Sequence, residues 1–182
     1  MSSIDLVILG MVSEKPQSAY DIQKDVEYHH LSRWTKISVP SVYRKVLQLC
    51  EKGYLRSDTV KGSKFAEKAV YSITDKGKKY FRELMNEYAR RAVPLLFDFN
   101  VVITNLNKLE KEEALGLIST LKKSISDSAR QNSQYAMQYA DLPLVGITVL
   151  EQQRLLYSAL LKWIDDFEAQ FRDEQQHTDR PV

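Results

Sequence analysis

The 182-residue sequence contains few of the residues from which catalytic and metal centres are built. Cys50 is its single cysteine, which excludes an intramolecular disulfide and fits a reducing compartment. The six glycines stand singly and form no phosphate-binding loop, and the sequence has no nucleophile elbow. The three histidines, His29, His30 and His177, lack a ligand partner at metal-site spacing. We therefore expect a protein that is not an enzyme and that carries no metal or other cofactor.

Long apolar runs are also missing. Residues 4–12 are apolar but short, Asp5 and Gly10 interrupt them, and neither a basic lead nor a small-residue cleavage site accompanies them. No later segment approaches the roughly 18 uninterrupted apolar residues of a transmembrane helix. We expect a soluble, cytoplasmic protein without a membrane partner.

Charge is nearly balanced in amount but unevenly distributed. Residues 1–90 carry 16 Lys and Arg against 11 Asp and Glu, whereas residues 91–182 carry 10 against 13. Within residues 33–79 there are 12 basic and 4 acidic residues, a net charge of +8. A basic segment in a balanced protein is typical of proteins that bind a polyanion such as DNA, although a solvated lysine-rich surface gives the same pattern.

Three short helices are predicted at the start of the chain. The first is apolar, begins near Ile4 and stops near residues 10–13. The second follows Ser18, a candidate N-cap with Asp21 as its capping-box partner, and runs to about Tyr28. The third begins near Pro40, which suits a first helical turn, and its inward positions are Val42, Val46 and Leu49.

A β-hairpin is predicted after the third helix. Two strand-like runs, residues 54–60 and 69–73, flank a flexible turn at residues 61–64. Thr74 then caps a fourth helix that runs to about Ala92. Helices two and three form a helix-turn-helix unit and the hairpin adds a wing, so residues 1–92 are interpreted as a winged helix-turn-helix domain. Trp34 is expected to pack in the core of this domain.

The third helix and the hairpin carry donors suited to DNA, because base edges and phosphates present mostly acceptors. We interpret as DNA contacts Ser38, Ser41, Tyr43, Arg44, Lys45, Gln48, Lys61, Lys64 and Lys68. Arg44 is the candidate for recognising a guanine edge, and the hairpin lysines would add affinity at phosphates or in the minor groove. The alternatives are simple solvation of an exposed helix face and of a charge-protected edge hairpin.

The second half of the chain predicts two long helices and a fold that is mainly α with a small β wing. Residues 95–103 are interpreted as a buried helix or a hinge, and residues 112–139 and 148–172 have apolar positions at helical, nearly heptad spacing. Their stripes exceed what one hairpin buries, so residues 93–182 are expected to form a helical dimerisation and effector domain. The seam is assigned to Leu121, Ile125, Leu156, Leu160, Trp163 and Phe167.

Trp163 allows two interpretations. A large aromatic residue in an apolar stripe packs in a core or dimer interface by default. The sharper hypothesis is that its ring forms a wall of an effector pocket, because an aromatic side chain at a symmetric interface can stack on a planar ligand.

Several segments resemble the PadR family of transcriptional regulators. They are AYDI at residues 19–22, Trp34, SVYRKVLQLCEKGYL at residues 41–55 and YSITDKG at residues 71–77. LEKEEALGLISTL and LLYSALLKWIDDF, further along, are similar to the helical domain of the virulence-activator branch of that family. The resemblance implies a homodimer whose winged helices bind a palindromic operator while the C-terminal helices intertwine. Phenolic acids and flat hydrophobic drugs are among the effectors that it implies.

Three positions depart from the family pattern. Ala19 stands where the family usually has Gly, which a helix tolerates, and Arg44 stands where it usually has Pro. The base contacts of relatives therefore do not transfer directly to this helix. Cys50 replaces a common Glu and is either a packed thiol or a redox-sensitive position.

The sequence thus predicts a homodimeric, sequence-specific DNA-binding regulator, interpreted as a repressor and tuned by a small aromatic or hydrophobic effector. One alternative is a winged-helix adaptor that contacts proteins without specific DNA binding. Another is a ligand-binding protein with no DNA role. The basic segment favours the regulator, because neither alternative needs it.

Overall fold

The computed structural model describes residues 2–33, 35, 37–61, 67–138 and 142–174. The chain divides into two compact units, Met1–Pro94 and Leu95–Val182. The predictions for Trp34 and Lys64 lie outside the described residues. None of the helices in the described ranges combines the length and apolar character needed to cross a membrane.

The N-terminal unit consists of four helices and one hairpin, as the sequence predicts. Its elements are α1 (Ser3–Glu14), α2 (Ala19–Tyr28), α3 (Ser41–Glu51), β1 (Leu55–Lys61), β2 (Glu67–Ile73) and α4 (Asp75–Ala89), with a short 3-10 turn at Leu31–Arg33. The end of α1 is predicted near residues 10–13, and the helix continues through Gly10 and ends at Glu14, one residue beyond that range. A single glycine lowers helix stability by only about 1 kcal/mol, which tertiary packing readily offsets.

The core of the N-terminal unit draws on each of its helices and on the hairpin. Ile8, Leu9, Ile22, Val26 and Leu84 are fully buried, together with the inward positions of α3. The predicted capping box is present: the backbone N–H of Asp21 donates to the Ser18 hydroxyl, and the Ser18 N–H donates to the Asp21 carboxylate. A capped start and a buried stripe fix α2 as the support for α3.

The hairpin is antiparallel, with Leu55 opposite Ile73 at its base and Lys61 opposite Glu67 at its outer end. Gln17, just before α2, adds a one-residue bridge to the free edge of β2. Its backbone N–H and C=O both pair with Tyr71, at 3.1 and 2.8 Å. This bridge ties the base of the wing to the helix-turn-helix.

The junction between α3, the wing and α4 leaves no room for larger side chains. Gly53 adopts a positive φ of 73° and ends α3 in a Schellman motif, in which Tyr54 N–H donates to Leu49 C=O at 2.9 Å. Thr74 caps α4 and donates its hydroxyl to Gly53 C=O at 2.8 Å. A Cβ on Gly77 would lie 2.1 Å from the carbonyl oxygen of Tyr54. Only glycine lets the first turn of α4 approach this closely.

The C-terminal unit is built around an antiparallel helical hairpin. It contains α5 (Asn100–Ile103), a 3-10 turn at Leu106–Lys108, α6 (Lys111–Gln138) and α7 (Leu144–Asp173). Pro143 stands at the N-cap of α7, so this helix begins four residues before the prediction. Leu106, Ala114, Ile118, Ile125 and Ile164 form its buried core.

The seam of α7 runs one residue away from the predicted stripe. Leu150, Tyr157, Ile164 and Phe171, spaced by seven, lie on the side that packs within the unit. Within the predicted stripe, Leu160 and Phe167 are half-buried, whereas Leu156 and Trp163 remain 42% and 36% exposed. The helix is therefore apolar on two sides, because residues 155–164 are apolar almost all round.

Residues 95–103 are not a buried helix. Only the single turn of α5 is helical, and Leu95, Leu96 and Val101 are largely exposed. Of the two interpretations offered for this run, burial within the chain is therefore wrong. The run has no apolar periodicity that would select one face for a core.

Candidate nucleic-acid interface

Helix α3 separates its apolar and polar sides sharply. Val42 and Val46 are fully buried, whereas Tyr43 is 58% exposed and Arg44 is exposed beside it. Gln48 lies one turn after Arg44 and is half-buried, so the two side chains share one side of the helix. The exposed side therefore presents a guanidinium, a phenol and an amide from one rigid element.

Ser41, one of the predicted DNA contacts, forms hydrogen bonds within the first turn of α3. Ser41 donates its hydroxyl hydrogen to the carbonyl of Ser38 at 2.5 Å, and the Ser41 N–H reaches the same oxygen at 3.0 Å. Ser38 itself is exposed. The Ser41 hydroxyl stabilises the first turn and keeps only acceptor capacity for an outside partner.

Lys45 has a partner inside the N-terminal unit. Its Nζ lies 3.1 Å from Oδ1 of Asp5, and their side chains are 24% and 9% exposed. The ammonium supplies the counter-charge that a buried carboxylate needs. Lys45 thus links α3 to α1, and this ion pair makes it less available to an outside ligand. A contact between Lys45 and DNA stays a prediction.

Lys68 joins the wing to the helix-turn-helix. Its Nζ lies 2.7 Å from Oδ2 of Asp21, whose carboxylate also accepts the Ser18 hydroxyl at 2.7 Å. The hydrogen bond from Lys68, with a smaller contribution from Ser18, lowers the pKa of Asp21. Lys68 remains partly exposed in this pair. The side chain of Lys61 and all of Lys64 lie outside what the structure describes.

Sequence reasoning missed the two acidic anchors and one apolar residue. Asp5 had a usable signal, since an isolated carboxylate within an apolar helix needs a basic partner. Asp21 was predicted as a cap, but its ion pair with Lys68 joins residues 47 apart. Leu47 is partly exposed on α3 beside Tyr43 and Arg44.

The C-terminal unit places Trp163 in an aromatic row. Its ring centroid lies 5.8 Å from that of Phe99 and 6.1 Å from that of Phe167, and Phe97 and Phe171 extend the row at either end. A groove of about 480 Å³ beside Trp163 and Phe167 is rimmed by the ion pair of Lys162 and Asp166, at 2.9 Å. Trp163 therefore combines packing with a partly open ring face.

A second hollow lies between the C-terminal part of α6 and the start of α7. It has a volume of about 450 Å³ and apolar walls that include Ala136, Ile147 and Leu150. Asn132 and the ion-paired residues Glu151 and Arg154 add polar groups. Among the described residues, no group of three or more His, Cys, Asp or Glu side chains could hold a metal ion.

The comparisons with known proteins agree with this architecture. Residues 8–83 match the transcriptional regulator PadR-like family. The crystal structure of Bacillus subtilis PadR in complex with operator DNA superposes with a TM-score of 0.75 at 18% identity, covering 93% of this chain and 99% of that chain. For the same regulator in complex with p-coumaric acid, the TM-score is 0.74, the identity 15%, and the coverage 96% and 99%.

The Vibrio cholerae virulence activator AphA is also similar, with a TM-score of 0.71 at 21% identity and coverage of 93% and 98%. No curated protein sequence matches this chain significantly. At identities this low, structural likeness shows the fold alone. The similarity to the transcriptional regulator PadR-like family therefore lies in residues 8–83, within the winged helix-turn-helix unit.

Proposed function

We propose that this regulator binds a specific DNA operator as a homodimer and acts as a repressor whose DNA affinity is changed by a small molecule. The observation that carries the proposal is the two-sided α3, in which Tyr43 and Arg44 project from a helix locked by fully buried valines. A rigid helix with exposed donors is what major-groove recognition requires. The basic segment around it supplies attraction to phosphates.

In this proposal, Arg44 contacts a guanine edge, and Tyr43, Gln48 and Ser38 contact neighbouring bases or phosphates. Lys68 and the other hairpin lysines approach the backbone beside the groove. Lys45 positions α3 through its ion pair with Asp5 instead of touching DNA. The operator complex of the Bacillus subtilis relative supports this use of the fold.

The dimer is proposed to form through the apolar side of α7 that the single chain leaves uncovered. Leu156 and Trp163 lie on that side, and Leu160 and Phe167 border it. Leu121 and Ile125 on α6 are largely covered within the chain, so they contribute mainly to the hairpin. A two-fold axis through such a seam would give two recognition helices and hence a palindromic operator with half-sites about one DNA turn apart.

Effector control would act on the geometry of that dimer. A ligand that favours one separation of the two recognition helices changes the fit to both half-sites at once. The p-coumaric acid complex of the Bacillus subtilis relative supports a small, flat ligand as the effector class. The open face of Trp163 is one place where such a ring could stack.

The test is a fluorescence-anisotropy titration against the DNA upstream of the protein's own gene at two salt concentrations. We expect saturable binding to this DNA, weaker binding to a scrambled duplex, and a steep loss of affinity with salt. Equal, weak binding to both duplexes would favour a winged-helix adaptor instead.

Arg44→Ala tests the recognition residue. Loss of a bidentate base contact should weaken operator binding by about 1–3 kcal/mol and bring it close to that of the scrambled duplex. Arg82→Ala is the matched control, because it removes the same exposed charge from α4. Unchanged discrimination between the two duplexes by the Arg44 variant would contradict the assignment.

A further inference from the structure

The hollow between α6 and α7 is lined by one largely buried polar residue. Asn132 is only 8% exposed, and no hydrogen bond joins its side chain to another described residue, but its amide atoms are not among the fully buried ones that lack a partner. Such an amide normally faces water or a ligand. Asn132 lines this hollow of about 450 Å³.

The residues that line the hollow indicate which class of ligand fits it. Ala136, Ile147 and Leu150 make most of its surface apolar, and the volume is in the range of small-molecule sites. Glu151 and Arg154 lie at its polar side, but they neutralise each other through two hydrogen bonds of 2.6 and 2.7 Å. The site therefore offers an apolar surface, the amide of Asn132 and the hydroxyl of Ser133, and it lacks a free charge among the described lining residues.

We propose that this hollow, called here the Asn132 cavity, binds a neutral, largely apolar small molecule that carries one hydroxyl or amide group. The amide of Asn132 hydrogen-bonds that group, and the apolar walls bind the remainder. The proposal differs from stacking on Trp163, which lies on another part of α7. Binding itself does not depend on the proposed function. Only its expected effect on DNA affinity rests on that function, because a ligand between α6 and α7 would set the geometry of the helical unit.

The Met137 side chain provides a direct reporter. It lines the cavity and is 79% exposed, so its methyl resonance should be sharp and should shift when the cavity fills. The probe is 2-naphthol, a neutral bicycle with one hydroxyl, and naphthalene is the same probe without it. We expect saturable methyl shifts for the full chain with both probes and tighter binding of 2-naphthol.

Two cavity variants and one matched control make the assignment falsifiable. Asn132→Leu should weaken 2-naphthol binding by about 5-fold and leave naphthalene binding unchanged, since one neutral hydrogen bond is lost. Ala136→Leu should abolish binding of both probes by filling the space. Gln131→Leu makes a similar amide-to-leucine change at the preceding, exposed position outside the cavity and should bind as the wild type does.

Several outcomes would overturn the proposal. They are an absence of saturable shifts up to about 1 mM probe, binding that both cavity variants retain, and binding that only Trp163→Ala removes. Binding that strengthens on dilution of the protein would show that a second copy fills the cavity, and would also overturn it. The operator titration is independent of these measurements, so a failure of ligand binding and a failure of DNA binding remain distinguishable.

Discussion

The two units of the chain differ in how completely they bury their apolar side chains. In the N-terminal unit, four helices and the base of a hairpin surround one core, and the buried sides of α2 and α3 find their partners within the same unit. In the C-terminal unit, two long helices cover only one side of each other, and Leu155, Leu156 and Trp163 stay exposed. Large exposed apolar patches mark interaction sites. The first unit buries the apolar sides of α2 and α3 within itself, whereas the second leaves apolar side chains of α7 exposed.

Both units combine local ion pairs with pairs that join different elements. In the N-terminal unit, Lys45 with Asp5 and Lys68 with Asp21 join distant elements, while Lys78 pairs with Asp75 on the same helix. Among the described residues of the C-terminal unit, most ion pairs lie within one helix, and Lys122 is the exception that reaches Asp165 and Glu168 on the facing helix. Hydrogen bonds to these two carboxylates raise the pKa of Lys122. Among the described residues, two different lysines thus join elements of the N-terminal unit, whereas one lysine joins α6 to α7.

The largest expected effect comes from Gly77, where the N-terminal unit has no room. Gly77→Ala would place a methyl group against the Tyr54 carbonyl and should lower the free energy of unfolding by about 3 kcal/mol. Hydrogen–deuterium exchange should show the loss of protection in Met1–Pro94 and unchanged protection in Leu95–Val182. Loss of protection in both units together would break the contrast between them.

Gly116→Ala is the matched change in the C-terminal unit. An added Cβ meets no described atom within 4 Å, and the position lies on an exposed side of α6. Replacing glycine inside a helix should raise the stability of this unit by about 0.5–1 kcal/mol. A decrease would show that this side of α6 is covered in solution.

The proposal that the exposed side of α7 forms the dimer interface can be tested by introducing a charged residue there. Leu156→Asp should raise the dissociation constant of the dimer by about 100-fold, because a carboxylate would be buried without a partner. Light scattering coupled to gel filtration should then report the mass of one chain, 21.1 kDa, at concentrations where the wild type pairs. Ser158→Asp adds the same charge two residues later on the opposite side and should stay dimeric, and a stable dimer of both variants would remove α7 from the interface.

The smallest effect concerns the link between the wing and α2. Lys68→Met should lower stability by about 0.5 kcal/mol at neutral pH, since the pair is partly exposed. Because the folded-state pKa of Asp21 is lowered, the contribution of the pair is present above the ordinary Asp pKa and is lost as pH falls through the lowered value. Thermal unfolding of the two proteins should therefore converge toward acid pH. A constant difference would indicate that Lys68 acts by packing.

Much of the fold could be predicted because local chemistry decided it. The Ser18 and Asp21 cap, the buried stripe of α3 and the glycine after it define the helix-turn-helix without long-range information. The two long helices followed from their apolar spacing. Their seam could not be predicted, because residues 155–164 are apolar on nearly every side and only packing against α6 selects Ile164 over Trp163.

By itself, the sequence determined the order and type of the elements, the exposed donors of α3 and the uneven charge, since these depend on residue type and short-range spacing. Only the tertiary structure decided which of those donors remain available. Lys45 and Lys68 looked equivalent to Arg44 as basic residues, but each meets a carboxylate brought from a distant part of the chain. Whether a lysine faces solvent or joins two elements depends on which residues the fold places within about 4 Å of its charge. The spacing of residues along the sequence does not give that distance.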